Sequence, residues 1–296
     1  MTATATLPDL LPANQPMTPS DLALTPQQLQ FMQVFGFLRL PGLMLDCIED
    51  ITAAFESMWR DDGNGSPGPA HDGTQRSCIP RFMEGNEYLS SLLQHPRIHG
   101  PLCSLLGEDF NYMGSDGNLY VGDTGWHRDG WHQGLRHMKV LFYLDPLTRN
   151  QGALRVIPGT HIVGDAYARD AGEAAAGRLQ VGVWGDQVPA EALEVTPGDV
   201  LIFNHNLFHA AFGGSARRRM FTINCSQRYA EGRLPELQEY LAGGARFLID
   251  RAFQQRFIDT ADRTRLRHIE QPLANDFLLS RRSQELRLAG HTPANG

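Results

Sequence analysis

Cysteine is scarce in this sequence of 296 residues, and its scarcity excludes two kinds of site. The four cysteines are too few for a disulfide-stabilised scaffold and too far apart for a Cys-x-x-Cys metal site. They stand at positions 47, 78, 103 and 225. We therefore expect reduced thiols in a cytoplasmic protein.

Long apolar runs, targeting segments and basic clusters are also missing. The first twenty residues have neither the basic start nor the apolar stretch of a secretory signal. No apolar run approaches the roughly 18 residues of a membrane span. The formal net charge is −7, and no basic tail offsets it, which argues against nucleic acid or an anionic membrane as a partner. The expected partner is a small-molecule substrate.

The apolar pattern divides the chain into a helical beginning, a strand-rich centre and a helical end. Residues 1–20 contain four prolines and no periodicity, so we predict a flexible segment there. We predict that residues 21–296 form one domain, with a β-core at about 108–229 and a helical C-terminal extension at 230–296. In the centre, short apolar runs alternate with Gly, Pro, Asn and Asp, which is typical of a β-sandwich or barrel.

Individual elements follow from helical or alternating periodicity and from turn residues. The predicted helices span residues 26–34, 46–60, 87–94, 97–106, 234–242, 245–257 and 275–285. The predicted strands span residues 35–40, 109–113, 118–121, 138–144, 153–157, 199–204 and 218–226. A loop is predicted at 61–75, and a helical or loop excursion at 162–180.

Two short segments of the centre contain residue types that bind metal ions. His127 and Asp129 are two residues apart, so in an extended chain both side chains point to the same side. His209 lies 82 residues after His127, at the end of a predicted strand. Two imidazoles and one carboxylate can occupy one face of an octahedral Fe(II) ion and leave three positions open. We predict these three residues to be metal ligands and the catalytic residues.

An arginine follows the second histidine at a distance that suits a cosubstrate site. Arg218 comes nine residues after His209, about one hairpin further on. A guanidinium there can bind a carboxylate through two parallel hydrogen bonds. We predict that Arg218 binds the far carboxylate of 2-oxoglutarate, while the 2-oxo acid end of that molecule chelates iron and O2 takes the remaining position.

Five segments, taken in order, are similar to a known family. They are Gly36-Phe37-Leu38 after the first helix, Trp126-His127-Arg128-Asp129, the stretch GALRVIPGTH at 152–161, the stretch PGDVLIF at 197–203, and His209 with the strand of Arg218. Together they resemble the phytanoyl-CoA dioxygenase family of Fe(II)/2-oxoglutarate enzymes, which includes ectoine hydroxylases. The resemblance extends from about residue 29 to residue 229.

This resemblance implies a mainly β fold with flanking helices, whose core is a double-stranded β-helix (a cupin-like jelly roll). It implies iron binding by His127, Asp129 and His209 and 2-oxoglutarate binding by Arg218. The loop before this arginine is short for the family, which leaves Arg219 as the alternative. Related halogenases lack the carboxylate at the position of Asp129, so its presence favours hydroxylation over halogenation.

Several residues near the predicted ligands have two interpretations. Asn118 matches a family position that often contacts the cosubstrate. Trp131 and His132 follow the iron motif where the chain would pass over the cavity mouth, so each is a candidate substrate contact or a packing residue. His205, four residues before the second histidine, is expected to pack beside the site. Lys139 lies in an apolar strand and either faces solvent or enters the cavity.

The sequence thus predicts an enzyme, a 2-oxoglutarate-dependent non-haem iron dioxygenase that takes Fe(II), 2-oxoglutarate and O2. We expect it to hydroxylate an unactivated C–H bond of a small metabolite or natural-product intermediate and to release succinate and CO2. Desaturation, epoxidation or ring closure at the same site is the alternative reaction. A non-catalytic jelly-roll ligand-binding protein is the alternative class. The helical tail suits a homodimer interface, and both that tail and the 61–80 loop are candidate lids.

Overall fold

The computed structural model describes residues 22–60, 71–175 and 184–294. The flexible segment predicted at 1–20 lies outside the described residues, as do positions 61–70 of the predicted loop and 176–180 of the predicted excursion. Two antiparallel sheets occupy the centre of the described part, and helices flank them.

Ten strands are present in the described ranges. They are β1 (Phe37–Leu40), β2 (Ser77–Pro80), β3 (Asn111–Tyr120), β4 (Thr124–His127), β5 (His137–Tyr143), β6 (Leu154–Val156), β7 (Glu191–Leu193), β8 (Val200–Asn204), β9 (His209–Ala211) and β10 (Arg218–Ser226). The larger sheet has the order β1-β8-β5-β10-β3-β2, and the smaller sheet has the order β4-β9-β6-β7. From β3 to β10 the chain passes repeatedly between the two sheets, which is the topology of a double-stranded β-helix.

The inner faces of the two sheets share one apolar core. Leu141 and Met220 of the larger sheet are buried in the same cluster as Leu154 and Val156 of the smaller sheet. The opposite face of the larger sheet is also apolar, because Val140 and its neighbours pack against the flanking helices. Strands buried on both faces have continuous apolar sequences, and β5 has one except at His137 and Lys139. The fold is therefore the predicted jelly roll.

Nine α-helices lie in the described residues. They are α1 (Pro26–Phe35), α2 (Ile48–Arg60), α3 (Glu87–Ser91), α4 (Pro96–Leu106), α5 (Ala166–Ala175), α6 (Leu234–Ala242), α7 (Gln255–Asp259), α8 (Arg263–Ala274) and α9 (Phe277–Leu288). Helix α1 precedes β1, α2 to α4 lie between β1 and β3, α5 lies between β6 and β7, and α6 to α9 follow β10. None of the helices in the described ranges is both long enough and apolar enough to cross a membrane.

The first helix shows how local sequence sets the ends of an element. Thr25 and Gln28 form a reciprocal capping box at its start, and Pro26 occupies the first turn. Gly36 ends the helix in the left-handed region, at φ 84°. A Cβ atom at Gly36 would lie 2.5 Å from Nδ1 of His161. Glycine is therefore needed both for the turn and for the close approach of this imidazole, which also contacts the carbonyl of Gln33.

Most predicted elements are confirmed, with three corrections. The predicted strands 109–113 and 118–121 are one strand, β3, which continues through two glycines. The helix predicted at 245–257 is wrong, since a short 3-10 turn at 243–247 and the five-residue α7 occupy this region. Helix α8 and strands β2, β4, β7 and β9 were not predicted. These four strands have three or four residues each, too few to show an alternating pattern.

Glu84 lies in a 3-10 turn at 83–85, and its carboxyl group is buried. It is 1% exposed, accepts a hydrogen bond from the backbone N–H of Gln254 at 3.0 Å, and lies 3.2 Å from the hydroxyl of Tyr112. Burial raises its pKa from 4.5 to about 7, against the opposing effects of the Gln254 N–H, the charge of Arg81 and the Tyr112 hydroxyl. Between about pH 4.5 and 7 the folded protein therefore keeps the proton of Glu84, whereas the unfolded chain loses it.

This raised pKa predicts a loss of stability with rising pH. Between about pH 4.5 and 7 only the unfolded state releases the proton of Glu84, so the free energy of unfolding falls across this window. A Glu84→Gln variant cannot ionise. The difference in free energy of unfolding between this variant and the wild type should therefore shift in favour of the variant by about 3 kcal/mol from mildly acidic to mildly alkaline pH. Urea unfolding at several pH values measures this difference. Glu87→Gln, at an exposed side chain, is the control and should show no such trend.

Candidate metal centre and cosubstrate cavity

The three predicted metal ligands meet where β4 ends and β9 begins. His127 is the last residue of β4 and pairs in register with His209, the first residue of β9. Asp129 follows β4, and its backbone N–H donates to the carbonyl of His205 at 3.0 Å. Main-chain hydrogen bonds therefore bring together two segments that are 82 residues apart in the sequence.

The side chains of these three residues converge. His127 Nε2 lies 4.0 Å from Asp129 Oδ1, and His209 Nε2 lies 3.7 Å from Asp129 Oδ2. The three potential ligand atoms all lie within 4.8 Å of one another. Neighbouring ligands of an octahedral ion with bonds of about 2.1 Å are about 3 Å apart. A small inward shift of the side chains thus suffices to bind one divalent ion.

Each imidazole is oriented by its own strand. His127 Nδ1 lies 2.8 Å from the carbonyl oxygen of Gly125, and His209 Nδ1 lies 2.9 Å from that of Leu207. A carbonyl only accepts, so both Nδ1 atoms carry the proton and both Nε2 atoms present a lone pair. A hydrogen bond of this kind commonly fixes the tautomer of a metal-binding histidine. The donor set therefore fits a divalent metal ion such as Fe(II).

Charge at the centre also favours a cation. Burial alone would raise the pKa of Asp129, but the nearby ammonium of Lys139 holds it well below its usual range. Lys139 Nζ lies 2.9 Å from Asp129 Oδ2. Burial lowers the pKa of His209 to about 4, so this imidazole is neutral at physiological pH. An ionised carboxylate beside a neutral imidazole is the form that binds metal.

A cavity of about 460 Å³ opens beside the three ligands. Alternate residues of β5 and β10 form its inner wall, among them Lys139 and Thr222. The side chain of Lys139, whose direction the sequence left open, enters the cavity. Residues of the C-terminal extension, including Leu241 and Phe247, cover the opposite side. The cavity is therefore charged near the metal ligands and more apolar towards the C-terminal helices.

Arg218 lines this cavity and is 2% exposed. Its Nε and Nη1 atoms have no hydrogen-bond partner among the described residues, and its guanidinium lies 5.1 Å from the centre of the Tyr120 ring. Cβ atoms at Gly152 and Gly214 would lie 2.1 and 2.5 Å from Arg218 Nη1, so these glycines make room for the guanidinium. Burying an unpaired guanidinium is costly unless a ligand pairs with it.

Arg219 points away from the cavity. Its guanidinium forms ion pairs with Asp145 at 2.6 Å and with Glu56 at 2.9 Å. Adjacent residues of a strand face opposite sides, so only one of the two arginines can enter the cavity. This geometry favours Arg218 as the cosubstrate ligand.

Asn118 is fully buried and held by other side chains. Its Oδ1 accepts from Arg76 Nε at 2.8 Å and from Arg76 Nη2 at 2.6 Å, while its Nδ2 donates to Asp116 Oδ2 at 2.5 Å. Arg76 and Asp116 line the cavity, whereas Asn118 does not. Contact between Asn118 and the cosubstrate stays a prediction. In this structure its amide orients Arg76, whose guanidinium also lies 4.6 Å from the centre of the Tyr120 ring.

Trp131 and His132 lie outside the lining of this cavity. Trp131 is 44% exposed and contacts the guanidinium of Arg128 at the edge of a second, shallow pocket. The imidazole of His132 stacks on that of His137. Both arrangements are packing contacts, and the substrate roles of the two residues stay predictions.

His132, His137 and His205 form a second histidine cluster beside the site. The rings of His132 and His137 are nearly parallel, at 3°, with centroids 3.5 Å apart. The lone pair of an imidazole lies in its ring plane, so no ion can lie in both planes. Burial lowers the pKa of His132 to about 4 and that of His205 to about 3. The cluster is a set of neutral packed rings.

Sequence reasoning missed three polar residues of the cavity, which are Arg76, Asp116 and Tyr120. Arg76 belongs to no motif and precedes a strand too short to predict, so no signal placed it here. Asp116 and Tyr120 could have been predicted, because side chains alternate along a strand and both lie on the same face of β3 as Asn118. The alternation had to be continued through the two glycines of this strand to identify them.

A jelly roll with two histidines and one aspartate at its open end defines a class of non-haem metal oxygenases. The sequence matches the phytanoyl-CoA dioxygenase family over residues 32–221. No curated protein matches the chain. The chain therefore belongs to the phytanoyl-CoA dioxygenase family, a family of Fe(II)/2-oxoglutarate-dependent oxygenases.

Solved structures of low sequence identity share the fold. The 2-oxoglutarate-dependent carbocyclase SnoK of nogalamycin biosynthesis is 21% identical, with a TM-score of 0.54 over 72% of this chain and 87% of that one. EctD from S. alaskensis is 19% identical, with a TM-score of 0.55 over 71% and 78%. HygX from Streptomyces hygroscopicus, solved with nickel and 2-oxoglutarate, is 18% identical, with a TM-score of 0.53 over 70% and 88%.

The two histidine groups predict opposite effects of substitution on metal binding. His209→Ala removes a converging ligand and should weaken Fe(II) binding by roughly 100-fold or more. His205→Leu removes a buried imidazole whose nitrogens have no hydrogen-bond partner among the described residues, so binding should stay within about twofold. Anaerobic Fe(II) titration with circular dichroism as a folding control tests both. Equal losses in two folded variants would contradict the ligand assignment.

Proposed function

We propose that this protein is an Fe(II)/2-oxoglutarate-dependent dioxygenase that hydroxylates an unactivated C–H bond of a small metabolite or natural-product intermediate. One observation supports this most directly. Two imidazoles and a carboxylate converge beside a cavity that also contains the buried, unpaired guanidinium of Arg218. A metal that retains open positions next to an arginine for a carboxylate is the arrangement that a chelating 2-oxo acid requires.

The chain supplies two binding positions. His127, Asp129 and His209 would hold the iron, and Arg218 would hold the far carboxylate of 2-oxoglutarate. Fe(II), 2-oxoglutarate and O2 together supply an oxidant for the C–H bond, with succinate and CO2 as products of the cosubstrate. The Tyr120 ring lies against the Arg218 guanidinium at 5.1 Å and restrains it in the absence of an ion-pair partner.

Lys139 is a positioning residue in this proposal. Its ammonium contacts Oδ2 of Asp129 at 2.9 Å, which leaves Oδ1 directed towards His127. The ion pair keeps the carboxylate ionised and restricts its rotation before metal binds. The C-terminal residues over the cavity exclude water from the space beside the metal ligands, where a substrate would lie.

Ring closure is a second candidate reaction. SnoK, which shares this fold, is described as a carbocyclase. The same metal centre can serve both outcomes, because the product depends on which substrate carbon lies nearest the oxidant. The mass of the product distinguishes them, since hydroxylation adds 16 mass units and ring closure or desaturation removes 2.

The proposed activity predicts turnover of 2-oxoglutarate. Protein supplied with Fe(II), 2-oxoglutarate and O2 should form succinate even without substrate, and Asp129→Ala should lower this rate by at least about 100-fold because it removes a metal ligand. Succinate is measured by mass spectrometry, and a candidate-substrate screen follows the product mass. Tight ligand binding without succinate would instead favour the non-catalytic jelly-roll protein.

The two adjacent arginines predict different kinetic effects. Arg218→Gln should raise the KM for 2-oxoglutarate by at least about tenfold, because a buried carboxylate would lose its charged partner. Arg219→Gln should leave this KM unchanged but lower the free energy of unfolding by about 1–2 kcal/mol, since it breaks ion pairs with Asp145 and Glu56. Steady-state kinetics and urea unfolding of both variants test this. A raised KM in Arg219→Gln alone would reverse the assignment.

A further inference from the structure

The charge of the cavity does not balance. Five cationic side chains line it, against two carboxylates, although the whole chain carries a formal charge of −7. The cationic residues are Arg76, Arg81, Lys139, Arg218 and Arg246, and the acidic residues are Asp116 and Asp129. A positive cavity inside an acidic protein attracts anions selectively, because its low-dielectric walls concentrate the field.

The proposed cofactors do not remove this excess. Fe(II) brings two positive charges and 2-oxoglutarate brings two negative charges, so their sum is zero. The surplus of positive charge on the cavity side chains therefore remains when both are bound. It is available to the substrate.

Three of the five cations already have a partner or a proposed one. Lys139 contacts Asp129 at 2.9 Å, and Arg76 is held by Asn118 and lies 3.9 Å from Asp116. Arg218 is the proposed ligand of 2-oxoglutarate. Arg81 and Arg246 remain, and neither forms an ion pair with a carboxylate of the described residues.

Arg81 is placed towards the cavity by contacts of its main chain. Its N–H donates to the carbonyl of Ser115 at 2.8 Å, and its own carbonyl accepts from Gln254 at 3.4 Å. Its Nε atom is buried and has no hydrogen-bond partner among the described residues. Glu84 is a nearby carboxyl, but burial raises its pKa to about 7, so its counter-charge is incomplete at neutral pH.

Arg246 lies in the 3-10 turn Gly243–Phe247 and is exposed at the edge of the cavity. Cys78 and Pro80 of β2, the strand that ends just before Arg81, line the same cavity. The C-terminal extension and the residue after β2 thus each bring an arginine to this cavity.

The same extension supplies apolar surface to the cavity. Phe247, Ile249 and Leu279 line it together with Leu241 and Ala252. All these residues lie beyond residue 221, where the match to the family ends. The part of the cavity that lies beyond the family match therefore combines an apolar wall with Arg246, which has no ion-pair partner among the described residues and lies 4.6 Å from the centre of the Phe247 ring.

We propose that the substrate is a small organic anion with an apolar body, whose oxyanion binds Arg81 and Arg246 and whose body lies on the C-terminal wall, next to the metal ligands. This inference rests on the proposed function, because it assigns the substrate of that same site. Both carboxylates and phosphates have the required chemistry, since arginine binds either group through paired hydrogen bonds.

Four probes with the same apolar body test the charge preference. They are phenylbutyrate, phenylbutyl phosphate, phenylbutanol and phenylbutylamine, titrated calorimetrically into protein that holds Fe(II) and saturating 2-oxoglutarate without O2. At least one of the two anions should bind about tenfold or more tightly than the alcohol and the amine. The tighter of the two anions identifies carboxylate or phosphate as the natural group.

Variants locate the binding groups. Arg246→Gln and Arg81→Gln should each weaken the preferred anion by about tenfold and leave the affinity for the alcohol unchanged. Arg246→Lys should retain part of the affinity, because the charge remains. Ile249→Ala, on the apolar wall, should weaken the anion and the alcohol alike. Arg281→Gln, at an exposed arginine of α9, is the matched control and should change nothing.

The outcomes separate the two proposals. Equal binding of anion and alcohol, tighter binding of the amine, absence of anion binding at millimolar concentration, or unchanged affinity in both glutamine variants would overturn the inference. The wild-type protein is assayed in parallel for succinate in the presence of O2. Succinate without anion preference would refute only the substrate class, whereas anion binding without succinate would refute the oxygenase and leave an anion-binding cavity.

Discussion

The pairing of β4 with β9 fixes the distance between the two imidazoles of the candidate metal centre. Strand β4 has four residues and lies at the edge of the smaller sheet, β9 has three residues and lies next to it, and His127 pairs in register with His209. The N–H of Asp129 is held by the carbonyl of His205 in the loop that leads into β9. The β4–β9 pairing belongs to the smaller sheet, whose inner face packs against the larger sheet, so the position of the donor set depends on the shared core.

Near this pairing, the protein buries two charged side chains, although burying a charge usually destabilises a folded core. Arg218 is buried without an ion-pair partner, and two glycines leave the space it occupies. Lys139 interrupts an otherwise apolar strand to reach Asp129. An unpaired buried charge such as that of Arg218 destabilises an empty site, and its burial becomes favourable when a ligand of opposite charge binds. The positions of Arg218 and Lys139 mark the part of the structure that serves binding.

Local sequence was a good guide where the signal is short-range. The capping box of α1, the Gly36 turn and the long strands β5, β8 and β10 depend on neighbouring residues and could be predicted. The short strands β2, β4, β7 and β9 could not, because so few residues form a strand only when a partner is already in place. The helix predicted at 245–257 was too long for a related reason. Some of the apolar residues in this range line the cavity or belong to the turn Gly243–Phe247, and only Gln255–Asp259 is helical.

The sequence by itself indicated the candidate metal ligands and the family, because His-x-Asp, the later histidine and the following arginine stand among segments that, taken in order, resemble the phytanoyl-CoA dioxygenase family. Tertiary structure decided which arginine enters the cavity, since the strand alternation and the partners Asp145 and Glu56 turn Arg219 outward. It also decided that Lys139 points inward and that Trp131 and His132 pack elsewhere. These outcomes depend on contacts between residues far apart in the chain, and a linear pattern carries no information about such contacts until the sheets have closed.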